Sequence, residues 1–135
     1  MSELVSGLKA VVESSSTMLT WTLAVGGGSV ALIVGTSYLR PRQVWARLFY
    51  LLFPVGWVFL AISIYHGNAI ARDGVAAQLA HSEAILPQIG ADMNTQYIAQ
   101  QNTMEIGMAV FALWLLLYLL WWILVKDLPK TETKE

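Results

Sequence analysis

Apolar residues run along this chain in three long blocks, and charge appears only at their ends: between Glu13 and Arg40, between Arg47 and Arg72, and between Glu105 and Lys126. A helix needs about 20 apolar residues to cross a hydrocarbon core of roughly 30 Å. Residues 18–39, 44–65 and 106–126 are therefore the three expected transmembrane helices. The blocks are continuous and do not alternate apolar with polar positions, which selects helices over a barrel. The pattern predicts an all-α integral membrane protein.

The segments between the blocks predict further elements. Residues 2–13 place Leu4, Val5, Leu8, Val11 and Val12 on one helical face, so residues 1–17 read as a short amphipathic segment lying along the interface. The alternative is a terminus that orders only against a neighbour. Ser14, Ser15, Ser16 and Thr17 read as a break or cap before the first span. Arg40-Pro41-Arg42 is a tight link, which makes spans one and two antiparallel neighbours. Pro54 predicts a kink in span two.

Residues 66–105 are too long for a structureless loop and read as an outer helical hairpin. One arm carries Ile70, Val75, Leu79 and Ile85, and the other carries Ile89, Met93, Tyr97, Gln100 or Gln101, and Met104. Pro87 is the expected corner. Each arm can simply continue a membrane helix, while Gly67 and Gly74 weaken the first.

Composition narrows the class. With 135 residues, 56% of them hydrophobic, and a mean hydropathy of +0.57, the chain is too apolar for a soluble domain of its size. One membrane domain is expected to fill it. A net charge of −1 gives no reason to expect nucleic acid, and the lack of cysteine removes disulfides and thiol chemistry. The late first span and mixed charges Glu3, Lys9 and Glu13 do not resemble a cleavable signal peptide.

Charge also sets an expected orientation. Arg40, Arg42 and Arg47 lie in the first link, and Lys126, Lys130 and Lys134 in the tail at 127–135 and its boundary. Lys9 and Arg72 are the cations on the other side. The positive-inside rule then puts the first link and the tail in the cytoplasm, with the N-terminus and the 66–105 hairpin outside. The expected location is a bacterial inner membrane. Tyr38, Trp45, Tyr50, Trp121 and Trp122 fall at the cytoplasmic interface, and Trp21 and Tyr65 at the outer one.

Span one has two distinct faces. Ala24, Gly28, Ala31 and Gly35 form a stripe of small residues, suited to close packing on span two, span three or a neighbouring copy. Roughly opposite lie Ser15, Thr22, Ser29 and Thr36, each seven residues after the last, with Gly26 and Ile33 on the same stripe. Two readings of the hydroxyl stripe are open. The hydroxyls can bond to helix carbonyls and neighbours. Alternatively, several copies can turn them inward to line a pore, with Ile33 as its constriction.

Arg47 and Lys126 sit at the ends of spans two and three, and no acid or base lies deeper inside a span, which argues against a proton-coupled transporter. His66, and His81 with Glu83, are candidates for a metal or haem ligand in a complex, and the alternative for each histidine is a hydrogen-bonded packing role. No nucleophile motif or phosphate loop is present, and no catalytic residue, cofactor or metal is expected. The sequence reading is a non-enzymatic membrane protein that forms a homo-oligomer, with a pore lined by span one as one form of it. The alternative is an accessory subunit of a larger respiratory, transport or secretion complex. The expected partners are the lipid bilayer and either further copies or other membrane subunits.

Overall fold

The computed structural model describes residues 2–36, 44–79 and 83–125, all of them helical. Helix α1 is Ser2–Thr36, and the short α2 is Val44–Arg47. A 3-10 turn, Leu48–Leu51, leads into α3, Leu52–Leu79. A second 3-10 turn, Glu83–Ile85, leads into α4, Leu86–Val125. Three helical stretches are long and apolar enough to cross a membrane: Val5–Thr36, Leu48–Leu79 and Leu86–Leu124. At 1.5 Å per residue, the 35 residues of α1 measure about 52 Å and the 40 residues of α4 about 60 Å, well beyond a hydrocarbon core of roughly 30 Å.

The helices run through several expected boundaries. No break occurs at Ser14–Thr17; α1 is continuous from Ser2 to Thr36. These side chains bond along or across helices instead of capping one: Thr17 Oγ1 donates to the Glu13 carbonyl at 3.1 Å, and Ser15 reaches α4. Leu8, Val11 and Val12 are half-buried, and Leu8 and Val12 pack against α4 and α3 of the same chain. Pro54 falls in the first turn of α3 rather than in mid-helix, because the 3-10 turn ends just before it. The bond that its missing N–H forgoes is one to the preceding 3-10 turn, whose last residue, Leu51, joins α3 without a gap. Pro87 likewise lies in the first turn of α4, so the corner precedes it. Pro41, Tyr38, His81, the 127–135 tail and the side chain of Trp45 lie outside the described residues.

The packing follows a seven-residue repeat on all three long helices. On α3 the buried positions Phe53, Gly56, Leu60, Ser63, Gly67, Ile70 and Gly74 follow it, with Ala69 buried beside them. On α4 they are Met93, Gln100, Gly107, Phe111, Trp114 and Tyr118. Steps of three and four alternate along α3 and from Gly107 onward in α4, as in coiled-coil seams, while Met93, Gln100 and Gly107 are seven apart. Antiparallel α3 and α4 interlock small against large: a Cβ on Gly56 would lie 2.7 Å from Phe111 Cζ, and one on Gly107 2.7 Å from Leu60 Cδ2.

Helix α1 docks antiparallel on α3 in the same way. Val12 faces Gly74, Leu19 faces Gly67 and Gly26 faces Leu60, each pair one heptad from the next. Small residues let backbones approach where burial of apolar surface gives no drive. At the α2 end, Phe53, Leu60, Phe111, Trp114 and Tyr118 form the aromatic core. Phe53 and Trp114 meet edge to face at 4.6 Å, a geometry worth about 0.5–1.5 kcal/mol beyond contact area.

Candidate functional site

The heptad that packs α1 is also the one that carries its hydroxyls, so the polar stripe faces into the bundle. Ser15, Thr22 and Ser29 are buried, and Ile33 and Thr36 are half-buried. All lie within a single chain, against α3, α4 and the turn before α3. The small-residue stripe faces the other way. Ala24, Gly28, Ala31 and Gly35 are exposed, and a Cβ on Gly28 or Gly35 would meet nothing within 4 Å.

Each hydroxyl of the seam has a partner. Near the N-terminal end, Ser15 Oγ donates to Gln100 Oε1 at 2.7 Å, and Gln100 Nε2 donates back to the Ser15 carbonyl at 3.2 Å. Ser63 Oγ of α3 donates to the Gln100 carbonyl at 3.1 Å. One fully buried amide therefore ties the three long helices together. Ser14 and Tyr97 hydroxyls lie 2.9 Å apart beside it, and His66 Nδ1 donates to Gln96 Oε1.

Further along, Thr22 Oγ1 donates to the Met18 carbonyl at 2.8 Å, and Ser29 Oγ to the Gly26 carbonyl at 2.6 Å. Trp57 Nε1 donates to Ser29 Oγ at 2.8 Å, and the Tyr50 hydroxyl donates to Thr36 Oγ1 at 3.2 Å. These two cross-helix bonds are again one heptad apart on both helices, in opposite directions. With Thr36 Oγ1 donating to the Leu32 carbonyl at 2.7 Å, the stripe contributes three local back-bonds of the kind Ser and Thr make in membrane helices and two clamps on aromatic rings.

The geometry brings Ser15, Thr22, Ser29, Ile33 and Thr36 onto one interior line, and keeps Ala24, Gly28, Ala31 and Gly35 off it. His66 is a hydrogen-bonded residue of the bundle. Among the described residues, no group of three or more His, Asp or Glu side chains is close enough to hold a metal ion.

Sequence reasoning missed the parts played by Gln100, Trp57 and Tyr50. A signal for the first was available: Met93, Gln100, Gly107 and Trp114 recur every seven residues, and Gln100 is the amide on that otherwise apolar or small stripe. An amide there must find a partner across the seam. Comparison of the chain with protein-family models, with curated proteins and with solved structures finds no match in any of the three.

Proposed function

We propose that this chain is a non-enzymatic, three-span membrane protein that acts by lateral association through the outer face of α1. The observation that carries the reading is the outward stripe Ala24, Gly28, Ala31 and Gly35. Within the chain, Gly56, Gly67, Gly74 and Gly107 are each crowded by a neighbouring side chain, whereas Gly27, Gly28 and Gly35 are open. Inside lipid, an exposed small-residue face favours close approach of another helix. A second copy is the simplest supply, because closed homo-oligomers are the commonest assemblies.

The first link and the tail face the cytoplasm of a bacterial inner membrane in this reading, which follows their excess of Arg and Lys. Residues 2–17 and the ends of α3 and α4 project outward together as a helical stalk. The hydroxyl stripe stays inside each chain, so association does not depend on a pore lined by it. An accessory-subunit role uses the same outer face with a different partner.

Native mass spectrometry of the chain expressed alone tests the proposal. The expected result is a discrete homo-oligomer that Gly28→Leu reduces to monomer without loss of helicity. A wild-type monomer overturns self-association. A species that becomes discrete only with a host protein bound moves the assignment to the accessory role.

A further inference from the structure

Trp57 and Tyr50, the rings bonded to Ser29 and Thr36, border a cavity of about 470 Å³ at the α2 end of the bundle, lined also by Ile33, Arg47, Phe53 and Pro54. That volume is within the range of ligand sites, roughly 300–1,000 Å³. Its walls are chemically ordered. Arg47 lines one end, Tyr50 follows, and beyond it the lining is aromatic or aliphatic as far as Trp57. From Arg47 to Trp57 the chain advances about 17 Å, through the 3-10 turn Leu48–Leu51 and the start of α3. This matches one leaflet of a hydrocarbon core roughly 30 Å thick.

The walls are fixed from both sides. Trp57 is pinned to Ser29 and Tyr50 to Thr36, with Ile33 between them on α1. Phe53 is 1% exposed and packs on Trp114 at 4.6 Å. The site is thus largely pre-formed, which lowers the cost of ordering it around a ligand.

We propose that this cavity binds one anionic phospholipid from the leaflet beside the arginine link, with its phosphate at Arg47 and an acyl chain along Ile33, Phe53, Pro54 and Trp57. Charge argues for the anionic class. Residues 37–47 carry Arg40, Arg42 and Arg47 and no acid, and basic pockets between membrane helices favour acidic headgroups. Arg offers five donors in a fork that fits phosphate oxygens, so it can serve a headgroup alongside other contacts. The inference rests on the membrane reading above but not on self-association.

The test reconstitutes the full chain in nanodiscs of phosphatidylcholine with or without phosphatidylglycerol, releases it gently and counts retained lipids by native mass spectrometry. Wild type is expected to keep one phosphatidylglycerol per chain, at least about fivefold more often than phosphatidylcholine, the factor one cation contributes at a membrane surface. Arg47→Gln should remove that preference. Ile33→Trp, which fills the cavity, should remove retention of both lipids, while the exposed control Thr20→Ala should change neither.

Equal retention of the two lipids by wild type overturns the proposal without recourse to any variant. So does undiminished retention in a folded Ile33→Trp chain. Displacement of the lipid by excess inorganic phosphate would assign the site to a free anion and also overturn it. The same spectra count protein copies, so a monomer with bound phosphatidylglycerol defeats self-association alone, and an oligomer without it defeats this inference alone. A chain that never enters the nanodiscs defeats the membrane reading beneath both.

Discussion

Ser15 and Gln100, 85 residues apart in sequence, exchange two hydrogen bonds: hydroxyl to amide oxygen at 2.7 Å, and amide nitrogen to backbone carbonyl at 3.2 Å. With Ser63 donating to the Gln100 carbonyl, this pair is where α1, α3 and α4 are joined by polar contacts rather than by packing alone. The amide is fully buried, so its partners are obligatory and not merely favourable.

Replacing the amide should therefore cost more than its shape suggests. Gln100→Leu keeps most of the volume but strands the Ser15 hydroxyl. Side-chain hydrogen bonds between membrane helices average about 0.6 kcal/mol, and buried groups left unpaired cost about 1–3 kcal/mol. A loss of about 2 kcal/mol is expected for Gln100→Leu in reversible unfolding in detergent. In Ser15→Ala/Gln100→Leu the second change should cost less than the first predicts, with a coupling of about 1 kcal/mol or more. Additive losses would mean that the two residues do not act as a pair.

Glycines on the two sides of the bundle should respond with opposite signs. A Cβ on Gly56 would sit 2.7 Å from Phe111 Cζ, and that ring is itself held against Phe53 at 5.6 Å. Overpacking of this kind costs about 1–3 kcal/mol, more than the roughly 1 kcal/mol that Ala gains over Gly in a helix. Gly56→Ala should lower the melting temperature. Gly28→Ala, with nothing within 4 Å in its own chain, keeps the propensity gain and should leave the dissociated single chain as stable or more so. Thermal melts monitored by circular dichroism decide both.

How much of this was legible in the sequence depends on the physics each feature obeys. The three apolar helices follow from run length, which lipid imposes on any spanning segment. Both stripes of α1 were also visible, because a seven-residue recurrence is a property of the sequence. Which stripe turns inward was not, since a membrane helix has no water-facing side to fix its rotation. Gln100 on α4 and Gly67 on α3 settle the matter in the structure, by offering α1 a buried amide and a notch for Leu19. The run Ser14–Thr17 misled for a related reason. Ser and Thr cap helices when they bond their own chain's free N–H groups, yet Ser15 has a partner on another helix and no reason to end its own.

Two tyrosines near the same end of the bundle offer a contrast. The Tyr50 hydroxyl donates to Thr36 at 3.2 Å, whereas Tyr118 Oη is buried with no hydrogen-bond partner among the described residues. Removing an unsatisfied buried hydroxyl relieves a desolvation cost. Tyr118→Phe should thus be neutral or stabilising by up to about 1 kcal/mol, and Tyr50→Phe destabilising by about 0.5–1 kcal/mol. Denaturant titrations of both variants in the same micelles give the comparison. A destabilised Tyr118→Phe would show that the hydroxyl has a partner beyond this chain or the described residues.

The inward rotation of α1 can be read chemically, because the chain has no native cysteine and single-cysteine variants report one position each. Thiol reagents need the thiolate and access to it. Ser15→Cys lies at a position 2% exposed and screened by Gln100, whereas Ser16→Cys, the next residue, is on the exposed side of the same helix. Both sit near the N-terminal end of the bundle, at nearly the same depth, so membrane position alone cannot separate them. A water-soluble maleimide should modify Ser16→Cys at least about tenfold faster than Ser15→Cys, the ratio set by a seam that opens at a cost of about 1.4 kcal/mol or more. Equal rates would place the hydroxyl stripe in contact with water. That outcome would return Ser15, Thr22, Ser29, Ile33 and Thr36 to the lining of an aqueous path and withdraw the closed bundle as the working state.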